Sequence, residues 1–197
     1  MIKTVISIGI AGMLLLICLT VLGMGSQRDE LLPAAKGLLS ETKADRLATA
    51  KAILDERRRL VEALLSIASK EEPKAELHSP KAVAIELLGQ MRAEEAVDFL
   101  LLNITYQAPY INWELQLAAG YPCVNALENI GLPSVKGVLA RLEQPATEKE
   151  LDLFAKVIKL VDGDDIAAMR VEMAAKTATG KKKENLRELL KILKMRP

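Results

Sequence analysis

Ser79-Pro80-Lys81-Ala82-Val83-Ala84-Ile85-Glu86-Leu87-Leu88-Gly89 and Tyr121-Pro122-Cys123-Val124-Asn125-Ala126-Leu127-Glu128-Asn129-Ile130-Gly131 are two versions of one pattern, 42 residues apart. In each, a proline opens the segment, a Val/Ala/Leu face follows, and an aliphatic-Gly pair closes it. A second apolar run begins within about eight residues of each close. Proline suits the first turn of a helix, where its missing N–H is not needed. Helix pairs recurring at about 40–47 residues mark an α-solenoid, in which each unit buries its apolar face only against its neighbours. The pattern therefore predicts an all-α chain built from antiparallel helix pairs.

Outward from these segments the chain continues to read as helix. Ser79 is a good N-cap for a helix ending near Met91, and an antiparallel helix beginning near Glu94 presents Val97, Leu100, Leu101 and Ile104. The second pair is Pro122–Ile130 and Pro133–Leu142, with Gly131 at the left-handed position between them. Thr147-Glu148-Lys149-Glu150 is a capping box that starts a helix running to about Val161. Asp162-Gly163-Asp164 then turns the chain into a helix carrying Ile166, Met169, Val171 and Met173. A last helix after Gly180 shows Leu186, Leu189, Leu190 and Leu193. Before the repeats, Glu41 to Ser69 reads as one long helix, with Leu47, Leu54, Val61 and Ala68 recurring every seventh residue. No β-alternation interrupts this.

Leu87-Leu88-Gly89 through Ala96-Val97-Asp98-Phe99-Leu100, and again Ile130-Gly131-Leu132-Pro133-Ser134-Val135, resemble the HEAT-repeat (armadillo-type) family. Its two-helix unit carries an aliphatic-Gly turn followed by an Ala-Val or Pro-Ala-Val start to the second helix. The resemblance covers residues 79–142 well and 147–178 loosely, with Val161 in place of the turn glycine. It is similar in layout to bacterial envelope proteins that place such repeats behind a leader. The family implies a right-handed superhelix whose concave helices bind other proteins, and it implies no catalytic residues.

The N-terminus is of a different kind. Thr4 to Gly25 contains no charge, with Lys3 before it and Arg28 after. Gly23-Met24-Gly25 puts small residues at the −3 and −1 positions of a cut before Ser26, as in a signal peptide. The length of the run fits an uncleaved anchor spanning a bilayer through residues 4–25. Both readings stand, and both send the body out of the cytoplasm, secreted, periplasmic or held at the membrane, because the positive charge lies on the N-terminal side. The expected layout is 1–25 signal or anchor, 26–40 linker and 41–197 helical repeat domain.

The 197 residues are 50% apolar and only 3% aromatic, so the core is aliphatic. The body after residue 25 carries 26 basic and 26 acidic side chains, Lys3 being the only charge before it. That balance argues against a nucleic-acid partner, which asks for a basic face. Cys18 lies in the leader, which leaves Cys123 as the body's only thiol and excludes an internal disulfide there. His78 is the only histidine, and a zinc site needs several ligands at set spacings. Asp162, Asp164 and Asp165 are too few and too close for a calcium loop, and read as helix-end charges. Arg57-Arg58-Arg59 and Lys181-Lys182-Lys183 read as solvated faces beside acids. Asn103-Ile104-Thr105 matches a glycosylation sequon by chance, since Ile104 fits a buried stripe. Neither a nucleophile elbow nor a phosphate loop occurs in the sequence.

Tyr106, Tyr110 and Trp113 lie between the two repeats and Tyr121 opens the second, which accounts for every tyrosine and the one tryptophan. Such rings either pack over the end of the inter-repeat core, stapling a long connection, or form a partner-binding patch, where Tyr and Trp are enriched. The expectation is a non-enzymatic scaffold, without cofactor, metal or small-molecule substrate, that binds a protein or peptide. The alternative is a membrane-tethered assembly or regulatory subunit of a larger envelope complex.

Overall fold

The computed structural model describes residues 42–71, 79–108 and 120–195. Among these every regular element is helical: α1 Lys43–Ala68, α2 Pro80–Gln90, a 3-10 turn Glu94–Ala96, α3 Val97–Leu102, α4 Pro122–Ile130, α5 Leu132–Arg141, α6 Glu148–Asp162, α7 Asp164–Thr177 and α8 Gly180–Met195. None of these helices is long and apolar enough to cross a membrane. The apolar run at 4–25 lies outside the described residues.

The chain divides into two compact units, Met1–Arg59 and Leu60–Pro197. Within the first, Arg58 lies 3.7 Å from Asp55 and Arg59 3.7 Å from Glu56, one helical turn away. The heptad stripe of α1 meets two fates. Leu47 and Leu54 are 60% and 61% exposed, whereas Val61, Leu64 and Ala68, which belong to the second unit, are buried in its core. Sequence period alone does not say where a core is available.

In the second unit local signals set the helix starts. Ser79 Oγ accepts a 2.9 Å hydrogen bond from the Ala82 amide, and Pro80 and Pro122 open α2 and α4. At α6 the capping box is complete: Thr147 Oγ1 accepts from the Glu150 amide at 3.2 Å, and Glu150 Oε2 accepts from the Thr147 amide at 2.7 Å. Such caps satisfy first-turn donors that have no partner inside the helix. Gly131 (φ 85) and Gly163 (φ 79) make the left-handed turns between α4 and α5 and between α6 and α7.

The packing proceeds in steps. α2 lies against α4, α4 against α6, and α6 against α8, while α3 lies against α5. The same two rows are tied together by α3 with α4, α5 with α4 and α6, and α7 with α6 and α8. One continuous aliphatic core results, centred on Ile85, Leu88, Leu100, Leu127, Phe154, Ile158, Leu186 and Leu189.

Two glycines set the closest approaches. A Cβ on Gly89 would lie 2.5 Å from the Ala126 Cα and 2.9 Å from its Cβ, so α2 and α4 cross there backbone to backbone. A Cβ on Gly137 would meet Val97 Cγ1 at 2.5 Å, where α5 crosses α3. Gly89 is therefore no turn glycine, contrary to the sequence echo with Gly131. The left-handed residue of the first hairpin is Arg92 (φ 49), three positions later. The second helix of that hairpin also departs from expectation, since a 3-10 turn precedes an α3 of only six residues.

Candidate functional site

The beginnings of α2, α4 and α6 carry the described part of the aromatic cluster. Tyr106 OH lies 2.9 Å from Ser79 Oγ, the same oxygen that caps α2, and the Lys81 ammonium sits 4.8 Å from the centre of its ring. Gln107 Nε2 donates to Tyr121 OH at 2.9 Å, and the Lys149 ammonium lies 5.3 Å from the Tyr121 ring centre. Each tyrosine packs one side on the core and engages its hydroxyl internally. The structure thus brings Tyr106 and Tyr121 to one edge, joined through Gln107, and uses both to tie the connection after α3 to helix starts. Tyr110 and Trp113 lie outside the described residues, as does His78.

From Tyr121 a groove of about 470 Å³ runs along α6 towards α8. Its floor is Leu153, Leu160 and Ile192, and its rim is Lys149, Asp152, Lys156 and Lys159. Leu160 is 42% exposed, which makes it the prominent apolar surface of this wall. Lys159 is held 2.9 Å from Asp164, while Lys156 is exposed. The spacing 149, 152/153, 156, 159/160 is one face of a helix. Nothing in that spacing alone marks a site; only the placement of Tyr121 and Ile192 turns the face into a concavity. An apolar floor with a few charged groups at the rim suits a side chain of a peptide segment.

The remaining chemistry-bearing residues are structural. Cys123 is fully buried in α4, and loss of hydration pushes its thiol from 9.0 up to about 12, against the weaker pull of the Lys81 ammonium. A thiol held neutral in this way is a poor nucleophile. Asp162 does not cap α7; it is the last residue of α6, and its carboxylate accepts from both Nε and Nη2 of Arg170, fastening the end of α6 to the second turn of α7. Lys181 pairs with Glu184 at 3.2 Å and Lys182 with Glu143 at 2.9 Å. Asn103 of the sequon donates its Nδ2 to the Phe99 carbonyl at 2.9 Å, and Ile104 is buried.

One buried polar group is a tie that the sequence did not announce. Asn185 Nδ2 on α8 donates to the carbonyls of Leu142 and Gln144, both at 2.9 Å, satisfying acceptors just past the end of α5. Among the described residues, no group of three or more His, Cys, Asp or Glu is placed to hold a metal ion. No family model, curated protein or solved structure matches the chain.

Proposed function

We propose that this chain is a HEAT-like α-solenoid acting as a non-enzymatic scaffold, and that the α6 groove receives a protein or peptide segment outside the cytoplasm. The observation that carries the reading is the stepwise packing of α2 on α4 on α6 on α8, with α3 on α5 behind, each helix meeting mainly its nearest neighbours. A row of helices stacked in this way offers a surface rather than a closed active-site cavity. The groove between Tyr121, α6 and Ile192 lies on that row. The buried neutral thiol and the single histidine of the sequence favour binding over catalysis.

The uncharged run from Thr4 to Gly25 supports the extracytoplasmic placement. It also supports a second reading, a tethered subunit of an envelope complex. The mass of the mature chain separates the two, since a chain beginning at Ser26 retains no anchor.

The test of the groove is photo-crosslinking in cells, with a photoreactive residue at Lys156 or Leu160 and, as control, at the exposed Lys136 of α5. The scaffold reading expects a discrete adduct with another protein from both groove positions and none from the control. Absence of an adduct at the groove positions, or equal labelling at Lys136, overturns it.

A further inference from the structure

Helix α7 has two apolar faces, and among the described residues only one is packed against a neighbour. Ala167 and Val171 are buried in the core, and Ala174 packs against it. Ile166, Met169 and Met173 recur at i, i+3 and i+7 and are 48%, 55% and 61% exposed. The neighbours of α7 do not reach them. Ala174 and Thr177 line a cavity with Leu139 of α5 and Glu143 of the turn after it, and Glu172 extends towards Lys194 of α8 at 3.9 Å. A helix apolar on opposite sides is expected to be covered on both.

We infer that this face pairs with the same face of a second copy of the chain, the two α7 helices lying antiparallel across a two-fold axis. The charges beside the stripe carry the choice. Asp165 stands exposed at its N-terminal end and Lys176 exposed at its C-terminal end. They are 11 residues apart, about three turns, and so share one side of the helix. Antiparallel pairing sets Asp165 against the second copy's Lys176, and symmetry repeats the contact at the other end. The same register brings Met169 within one residue of the second copy's Met173, and it opposes the two helix dipoles. An anionic lipid surface fits less well, because Asp165 and Glu172 border the stripe. Methionine, unbranched and adaptable, suits a small self-complementary contact. Three exposed side chains make a small contact, so the dimer is a weak one.

The experiment is sedimentation of the full chain over a range of concentrations, in a mild detergent that keeps residues 4–25 dispersed. Circular dichroism confirms the helical content of each variant. The expected result is a reversible monomer–dimer equilibrium, weakened at least about tenfold by Met169→Lys and, independently, by Met173→Lys. Asp165→Lys weakens it as well, and adding Lys176→Asp restores it. Three results overturn the inference: a chain monomeric at every concentration, a dimer indifferent to both methionine variants, or a charge exchange that fails to restore pairing.

Discussion

Replacing Gly89 with alanine probes the crossing of α2 and α4. The added Cβ falls 2.5 Å from the Cα, 2.9 Å from the Cβ and 3.2 Å from the carbonyl oxygen of Ala126. Carbon atoms prefer to sit about 3.5–4.0 Å apart, so the two helices must separate by roughly an ångström. The nearest atoms are backbone and cannot rotate away, which puts the cost near the top of the overpacking range, about 3 kcal/mol. Alanine returns up to about 1 kcal/mol of helix propensity. The net expectation is a loss of about 2 kcal/mol, or a fall in Tm of roughly 6–10 °C for a unit of this size. Gly137→Ala is the internal comparison. Its new Cβ meets the side chains of Val97 and Leu101, which give more readily, so a loss of about 1 kcal/mol or less follows. Ala126→Gly in the Gly89→Ala background removes the 2.9 Å contact but leaves the 2.5 Å one, and so rescues only part of the loss. Thermal and urea denaturation followed by circular dichroism supply the values. A Gly89→Ala chain as stable as the parent would refute the argument that these helices cross through this glycine.

Three other residues carry the further outcomes. Asn185→Ala leaves the carbonyls of Leu142 and Gln144 without their donor and is expected to lower stability by about 2–3 kcal/mol in urea titrations. Ser134→Ala is expected to raise stability by up to about 1 kcal/mol, because the Ser134 hydroxyl is fully buried with no hydrogen-bond partner among the described residues; a loss on the same assay would count against it. In a Cys18→Ser background, Cys123 is expected to resist thiol reagents at neutral pH until the chain is unfolded. The same thiol makes stability pH-dependent. Folded and unfolded chains both hold it neutral below pH 9.0, and only the unfolded chain ionises it between 9.0 and about 12. The contribution is thus fully present below pH 9.0 and is lost above it, at up to about 1.4 kcal/mol per pH unit. Subtracting the alkaline profile of Cys123→Ala isolates this slope, and identical profiles would contradict it.

What was legible in the sequence was local. Pro80, Pro122, the Ser79 cap and the Thr147–Glu150 box depend on chemistry within one helical turn, and the structure places all of them as read. What was not legible depends on partners distant in the chain. Gly89 and Gly131 occupy matching positions of the echo, yet one is a close-packed helix residue and the other a left-handed turn. The sequence holds no sign of Ala126 lying against the first. The stripe of Leu47 and Leu54 and that of Ile166, Met169 and Met173 have the same period as buried stripes, and period does not report whether another element is there to cover them. The α6 groove needed Tyr121 and Ile192, 71 residues apart, to close it. Tyr106 and Tyr121 stand out in the sequence as members of one aromatic cluster with Tyr110 and Trp113, but their tie through Gln107 and their lysine partners emerge only in three dimensions.

The proposed stepwise stack is tested most directly by the distance between its first and last helices in the α2–α4–α6–α8 row. Spin labels at Glu86 of α2 and Arg187 of α8, with Cys18 replaced and Cys123 left buried, measure it by pulsed dipolar spectroscopy. Three successive helix packings of about 8–10 Å each predict a separation of about 25–30 Å. A single narrow distance near 10–15 Å, the spacing of adjacent helices in a closed bundle, would contradict the account.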